Sequence, residues 1–410
     1  MNRVPEEVIV AIDIGTTKIC VLIARTMPDG TLELMGIGKA PSHGLARGVV
    51  VDIAPAVHSI KSACQEAEIM ANYKIESAYI GISGSHIHAM NSHGLIAIKH
   101  GVISPQDVKN VIAAAQAVPI PDGQQILHVI PQFYTIDGHH RVLDPVGMHG
   151  VRLEAQVHLI TGGVSSVQNL VSCCEMAGIG VRDIVLEPLA SAEAVLSAEE
   201  RSMGVAMLDI GGGTSDFAIY QQGTIRHTRI FTIAGNLFTQ DLAVCLRTTM
   251  REAERLKRDF GILDHRLIEP DDFISVSTMH GEGTHDIPLN DVVAVIESRA
   301  VELLTMIHQE MHAYHLHQFA PAGLVLTGGG SLLDGLQESA HAILNIPVRL
   351  GKPTIDVSFK ASLEHPMYAT SYGLLLYALK KQARANLEQL TGPVVQRIYW
   401  RMKSWVFDFF

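Results

Sequence analysis

The sequence predicts an α/β protein built from two related lobes. Two segments 196 positions apart read almost alike: IVAIDIGTTKICVLIA (residues 9–24) and VAMLDIGGGTSDFAIY (residues 205–220). Each is an apolar, β-branched run that ends in Asp-Ile-Gly, passes a turn of small residues and returns as a second apolar run. That pattern is a β-hairpin. A third glycine cluster, in LVLTGGGSLLDGL (residues 324–336), follows an apolar strand and precedes a helix start at Ser331. One hairpin repeated and three glycine turns point to a cleft between duplicated halves.

Composition bounds the alternatives. A chain of 410 residues has room for two or three domains, and 47% hydrophobic with 18% charged residues is a folded composition. The net charge of -11, with no long Lys/Arg stripe, argues against nucleic acid as a partner. Cys20, Cys64, Cys173, Cys174 and Cys245 are odd in number and lack C-x-x-C spacing, which fits a reducing cytoplasm. Glu6 and Glu7 precede the first apolar run, unlike a secretory signal, and no stretch reaches the ~20 apolar residues of a membrane span. The expectation is a chain neither exported nor threaded through a bilayer.

The turns carry the chemistry. Small residues let backbone N–H groups approach an anion closely, so Gly15, Thr16 and Thr17 on one side and Gly211, Gly212, Gly213 and Thr214 on the other are placed to cradle phosphates. Asp13 and Asp209 end the strands beside them, and one or two carboxylates with phosphate oxygens suit Mg²⁺. A tight hairpin accounts for a single D-x-G-T; the repetition favours the phosphate reading. Gly328, Gly329 and Gly330, at a strand-to-helix turn, present free N–H groups in the same way or simply make the turn.

The order DIGTTK, LEPLASAEAVL (residues 186–196), LDIGGGTSDF, LTGGGSLLDGL and PMYATSYGLLLYAL (residues 366–379) resembles the actin, Hsp70 and sugar-kinase superfamily across residues 8–380. With GISGSHIHAMNSHG (residues 81–94), DPVGMHGVRLEAQVHLITG (residues 144–162) and the tail, the chain is similar to the FtsA family of bacterial cell division proteins. The resemblance implies an actin-like, ribonuclease H-like two-lobed ATPase fold with an inserted 1C subdomain and a C-terminal amphipathic helix. It implies subdomain 1A at residues 1–84 and 159–197, and 1C at 85–158. Subdomain 2A follows at 198–239 and 319–380, 2B at 240–318, a linker at 381–392 and the amphipathic helix at 393–410.

The resemblance also assigns roles. The cofactors would be ATP and Mg²⁺, with the metal held through water by Asp13 and Asp209. Thr16, Thr17 and Lys18 would hold phosphates from one side, and residues 211–214 from the other. Glu187, followed by Pro188, matches the residue that positions an attacking water, so Glu187, Asp209 and Asp13 form the catalytic set; a surface or capping carboxylate is the alternative for Glu187. Useful ATP hydrolysis would depend on how Glu187 and that water are placed. Gly328, Gly329, Gly330 and Ser331 would serve the adenosine. Glu254, Lys257 and Arg258 share a helix face and match a pattern that flanks base and ribose, although a solvated salt-bridged face explains them equally.

Partners are implied likewise: self-association into filaments, the C-terminal peptide of the tubulin-like protein FtsZ at 2B near Arg251 and Arg255, other division proteins at 1C, and an anionic membrane. The expected place is peripheral, on the cytoplasmic side of the inner membrane at the septum. A sugar kinase is the alternative function, but residues 85–158 offer no obvious base for a sugar hydroxyl. An Hsp70-like chaperone would need a substrate domain that does not follow.

The tail IYWRMKSWVFDFF (residues 398–410) holds both tryptophans and three of the eleven phenylalanines. As a helix it gathers Val394, Val395, Ile398, Tyr399, Met402, Trp405, Val406, Phe409 and Phe410 on one arc; these, with Trp400, are the expected membrane residues. A helix docked on the protein's own core is the other explanation. His308, His312 and His315 have helical spacing, and read as a solvent-facing strip more simply than as metal ligands. Cys173 and Cys174 read as small core residues.

Overall fold

The computed structural model describes residues 7–263, 269, 272–279, 283–355 and 363–390, by backbone alone over 384–390. Its first lobe is a five-stranded sheet. The hairpin of β1 (Val8–Ile14) and β2 (Lys18–Thr26) extends to β3 (Leu32–Pro41); a short ladder of β4 (Leu45–Ala46) and β5 (Val49–Val50) leads to α1 (Ile53–Ala71) and then β6 (Ser77–Ile82). After the inserted segment come α3 (Val164–Met176), β11 (Gly180–Leu186), α4 (Glu187–Val195) and α5 (Ala198–Met203). The strand order is β3-β2-β1-β6-β11, with β1–β2 and β2–β3 antiparallel and β1–β6 and β6–β11 parallel.

The second lobe repeats that sheet. β12 (Val205–Ile210), β13 (Ser215–Gln221) and β14 (Thr224–Phe231) form the antiparallel part, while β17 (Leu324–Thr327) and β18 (Val348–Leu350) add in parallel, giving the order β14-β13-β12-β17-β18. Between and after these strands lie α6 (Gly235–Cys245), α7 (Met250–Phe260), the ribbon β15 (Phe273–Ser277) with β16 (Thr284–Pro288), α8 (Leu289–Ala313), α9 (Leu336–Leu344) and the closing helix α10 (Ala369–Leu390). The predicted duplication is therefore a duplication of sheets as well as of hairpins.

Central strands read as nearly continuous apolar runs because both their faces are covered. Val10, Ile12 and Ile14 of β1 pack with α1 and α3, a core that takes in Cys173 and Cys174. Ile9 and Ala11 of the same strand face α4 and α10, which also receive Met207 of β12 and Ala218 of β13. The remaining face of the second sheet, with Leu208 and Phe217, lies under α6, α8 and α9. The helices α4 and α10 thus sit between the two lobes and share a core with both.

The insertion has its own layer. β7 (Ile87–Ala97), β8 (Gln124–Ile136), β9 (His140–Val142) and β10 (Arg152–Gly163) form an antiparallel sheet of order β7-β10-β8-β9. The helix α2 (Pro105–Gln116), opened by a capping box between Ser104 and Asp107, covers one face of it with Val111 and Ala115. Two expected boundaries differ from the elements. β10 keeps pairing with β7 as far as Gly162, so position 158 falls inside a strand. Residues 381–390, read as linker, continue α10, because Lys, Gln, Arg, Ala, Leu and Glu are strong helix formers and no glycine or proline interrupts them.

Candidate functional site

The two repeated hairpins meet tip to tip. In the first, the Gly15 N–H donates to the Lys18 carbonyl at 3.1 Å; in the second, the Gly211 N–H donates to the Thr214 carbonyl at 2.9 Å. A methyl group added at Gly213 would come within 2.3 Å of Thr16 Oγ1, and one at Gly212 within 2.5 Å of Thr17 Cγ2. Only glycine lets the loops approach this closely. Beside them opens a cleft of about 840 Å³, enough for a ligand of nucleotide size. Asp13, residues 15–18, Glu187, Asp209, residues 211–214, Glu254, Lys257, Arg258 and residues 328–330 all line it.

Four carboxyls gather at its base. Ser371 Oγ of α10 donates to Asp13 Oδ2 at 2.8 Å; Ser191 Oγ of α4 and Thr370 Oγ1 of α10 reach Asp209 Oδ2 at 2.5 and 3.1 Å. The two helices cross so closely that a methyl at Gly373 would lie 1.9 Å from the Ala190 carbonyl oxygen. Asp216 accepts from Ser83 Oγ at 2.7 Å. Glu187 opens α4 and lines the same cleft.

Burial raises every one of these carboxyls above its ordinary range. Lys18 and the Ser371 hydroxyl oppose the rise at Asp13, whereas the neighbouring Asp13 adds to the rise at Asp209. Asp216 is pushed up to about 8 by burial and by Asp209. Glu187 is raised well above the usual range by burial, then by Asp216, Asp13 and Asp209. Three buried aspartates and the half-buried Glu187, mutually repelling, are the hard oxygen donors that suit a divalent cation, and the glycine loops supply N–H donors for an anion. The donor set fits Mg²⁺ with a polyphosphate.

The remaining expected residues occupy defined places. Lys18 Nζ donates to the Met367 carbonyl at 2.8 Å, and its ammonium lies over the Tyr368 ring. Lys257 Nζ binds the Gly235 carbonyl at 3.0 Å and pairs with Glu254 at 2.7 Å, while Arg258 Nε reaches Glu254 at 2.8 Å. Ser331 is buried and absent from the cleft wall; its hydroxyl donates to the Gly328 carbonyl at 2.7 Å and supports the turn. Arg251 and Arg255 are exposed on α7, and Arg255 is held by Glu252 and Asp259. His308 and His312 lie on α8, but His315 falls beyond its end with φ 53°, so the three do not share one helix face. Among the described residues no His, Cys, Asp and Glu cluster could hold a metal by itself. The tail positions 393–410 lie outside the described residues.

Sequence reading missed Asp216, Ser83, Ser191, Thr370 and Ser371. Asp216 carried a signal: in the duplicated hairpins it stands opposite Asp209 where Cys20 stands opposite Asp13, a carboxylate within an otherwise apolar strand. The hydroxyls gave none, because their roles arise only when distant helices converge.

Known proteins place this architecture. A family model for cell division protein FtsA matches residues 206–373, and one for the SHS2 domain inserted in FtsA matches residues 84–161. Among solved structures, the PilM-PilN type IV pilus biogenesis complex is similar with a TM-score of 0.66 at 17% identity, covering 92% of this chain and 99% of that one. MreB5 of Spiroplasma citri bound to ADP gives a TM-score of 0.54 at 15% identity, covering 93% and 98%. These likenesses show the actin-like fold. The cell division protein FtsA of Pseudomonas aeruginosa is 41% identical over 410 residues, covering 98% of this chain and 97% of that protein. The FtsA of Escherichia coli strain K12 is 34% identical over 407 residues, covering 98% and 96%. With the duplicated sheets, the inserted layer and relatives matched over nearly their whole length, the chain belongs to the FtsA family of cell division proteins.

Proposed function

We propose that the chain is an ATP- and Mg²⁺-binding adaptor that polymerises head to tail and anchors the FtsZ ring to the inner face of the cytoplasmic membrane at the division septum. The observation that carries this reading is the pair of facing glycine and threonine loops above the gathered carboxyls of Asp13, Glu187, Asp209 and Asp216. Solved structures of the similarly folded MreB5 of Spiroplasma citri contain ADP in one case and AMPPNP in another. Membership in the FtsA family leaves the sugar-kinase alternative without support.

Asp13 and Asp209 would hold the metal through water, with Asp216 and Glu187 beside them. Bound Mg²⁺ would neutralise phosphate charge and fix the phosphate oxygens. The backbone N–H groups of residues 212–214 and the Thr16 and Thr17 hydroxyls orient the phosphates, while the Gly211 N–H closes its own turn and Glu254, Lys257 and Arg258 flank the nucleoside. Glu187, its carboxyl raised well above the usual range by burial and three aspartates, would position the attacking water. The chain then acts as a nucleotide-switched adaptor.

Assembly and attachment complete the proposal. The inserted subdomain contacts the next subunit and later division proteins, and contacts that do not close into a ring produce filaments. Arg251 and Arg255 receive the acidic FtsZ peptide, Arg255 exchanging its bonds to Glu252 and Asp259 for it. Among the described residues no helix is long and apolar enough to cross a membrane. The proposed anchor is the amphipathic tail, which lies in the headgroup plane. Co-sedimentation tests the adaptor: FtsZ pellets with anionic vesicles only when the chain and Mg²⁺-ATP are present. FtsZ that pellets equally without the chain contradicts the reading.

A further inference from the structure

The inserted sheet turns a polar face away from α2, and half of that face is already used. Gln132 Nε2 donates to the Ile225 and Arg226 carbonyls at 2.9 and 3.2 Å, Asn91 Nδ2 donates to the Arg226 carbonyl at 3.3 Å, and His158 Nε2 meets Thr228 Oγ1 at 2.9 Å. These side chains close the open edge of β14, the outermost strand of the second lobe's sheet. The other half is open, a hollow of about 360 Å³ lined by His93, Phe133, Thr135, Arg141, Arg152 and Glu154 among others.

The charges in and beside this hollow do not balance. Arg152 pairs with Glu154 at 2.7 Å, and Glu154 also meets His93 at 3.0 Å, so that group is compensated. Arg141 makes no hydrogen bond or ion pair among the described residues; its guanidinium lies over the Phe133 ring, 4.6 Å from the centroid. Arg226 of β14, beside the hollow and not part of its lining, lies over the same ring at 5.3 Å and over the Phe319 ring at 5.8 Å. Its Nε is buried without a partner, and its hydrogen bond from Nη2 to Gln222 Oε1 is stretched to 3.5 Å. Burial and the nearby Arg141 both act against its charge. Two guanidiniums lie on one ring with no carboxylate bonded to either among the described residues, one with a buried Nε that lacks a partner and the other exposed with its donors free for an anion.

We propose that Arg141 and Arg226, stacked on Phe133, bind a phosphate-class dianion at the junction of the inserted subdomain and the second lobe. Two uncompensated positive charges match two negative ones, and planar guanidinium forks bind phosphate oxygens in pairs. A single carboxylate would leave one charge unmet. One arginine belongs to the insertion and the other to the second lobe, so the occupant joins two parts of the molecule. By linkage, whatever holds the insertion against β14 strengthens anion binding, and the anion strengthens that docking equally.

The Nε–Hε NMR signals of the full chain, assigned through Arg141→Lys and Arg226→Lys, report on both groups. Inorganic phosphate is titrated against sodium chloride at matched ionic strength. Both signals shift saturably with phosphate and not with chloride, and Arg141→Ala weakens the phosphate response of Arg226 by about tenfold or more. Arg141 is exposed, so its replacement leaves the fold intact. The site is overturned by an absence of saturable shifts up to roughly 10 mM phosphate, or by an Arg226 response unchanged in Arg141→Ala. Acetate shifting both signals at lower concentration than phosphate overturns the dianion assignment.

Discussion

Ser83 Oγ donates to Asp216 Oδ1 at 2.7 Å, and this bond spans the cleft: Ser83 follows β6 of the first lobe, whereas Asp216 lies in β13 of the second. Both residues are buried, so the bond closes the base of the cleft where the four carboxyls converge. A cation entering there meets groups already drawn together from both lobes. Closure of the cleft and the proposed metal binding would thereby be joined in one place.

That arrangement fixes a pH dependence. In the folded, metal-free chain Asp216 titrates at about 8, while an unfolded aspartate titrates near about 4. Between those values the folded state holds more protons than the unfolded one, so stability falls as pH rises through the window. Asp216→Asn keeps an acceptor for Ser83 and removes the ionisation. Thermal melts in a chelator at about pH 5.5 and about pH 8 check this: the wild type melts lower at the higher pH, and the variant shows a smaller difference, the remainder coming from Asp13, Glu187 and Asp209. Equal pH slopes for the two proteins contradict the assignment.

The inserted subdomain depends on His158. Its Nδ1 meets Asn91 Oδ1 at 2.7 Å and its Nε2 meets Thr228 Oγ1 at 2.9 Å, so the network assigns the proton to Nδ1 and makes Nε2 the acceptor. Burial, with His227 nearby, lowers its pKa to about 3 and keeps it neutral. His158→Ala strands the buried Thr228 hydroxyl, whereas Asn91 Oδ1 keeps its bond from Gln132, at a cost of about 1–3 kcal/mol. Urea unfolding reads the cost, and hydrogen exchange reads its place: the amides of β14 and β10 exchange faster. Exchange in β14 that stays at the wild-type rate contradicts a clasp between insertion and second lobe.

Membrane attachment is tested at the tail. On the proposed helix, Trp405→Glu places a charge within the apolar arc, between Val394 and Ile398. A charge there opposes burial of that face among acyl chains. The variant leaves anionic vesicles in a co-sedimentation assay while its melting temperature stays at the wild-type value. Retention on the vesicles removes the membrane role, and a lower melting temperature assigns the helix to the protein's own core.

The parts legible in the sequence are those that local pattern encodes. Asp13-Ile-Gly15 and Asp209-Ile-Gly211 announced the hairpins because a strand, a tight turn and a strand are all short-range features, and their repetition announced the second sheet. What escaped depends on contacts between distant segments. Ser371 is 358 positions from Asp13, and nothing in its own stretch marks its hydroxyl as a partner for that carboxylate. The burial of Ser331 beneath the Gly328 turn, and the way Gln132 and His158 cap β14, likewise follow from packing that no local period records. Composition misled at residues 381–390, where a polar stretch proved helical because polarity and helix propensity are separate properties.

Calorimetric titration of ATP with Mg²⁺ against wild type and Asp209→Ala tests the nucleotide switch most directly. Asp209 stands between the loops, receives bonds from Ser191 and Thr370, and lies among the carboxyls that would gather the metal. Its removal weakens Mg²⁺-dependent ATP binding by about tenfold or more, roughly 1.4 kcal/mol, while leaving the smaller metal-free affinity nearly unchanged. Affinity equal to wild type in the presence of Mg²⁺, or no measurable ATP binding by the wild type itself, would contradict the account.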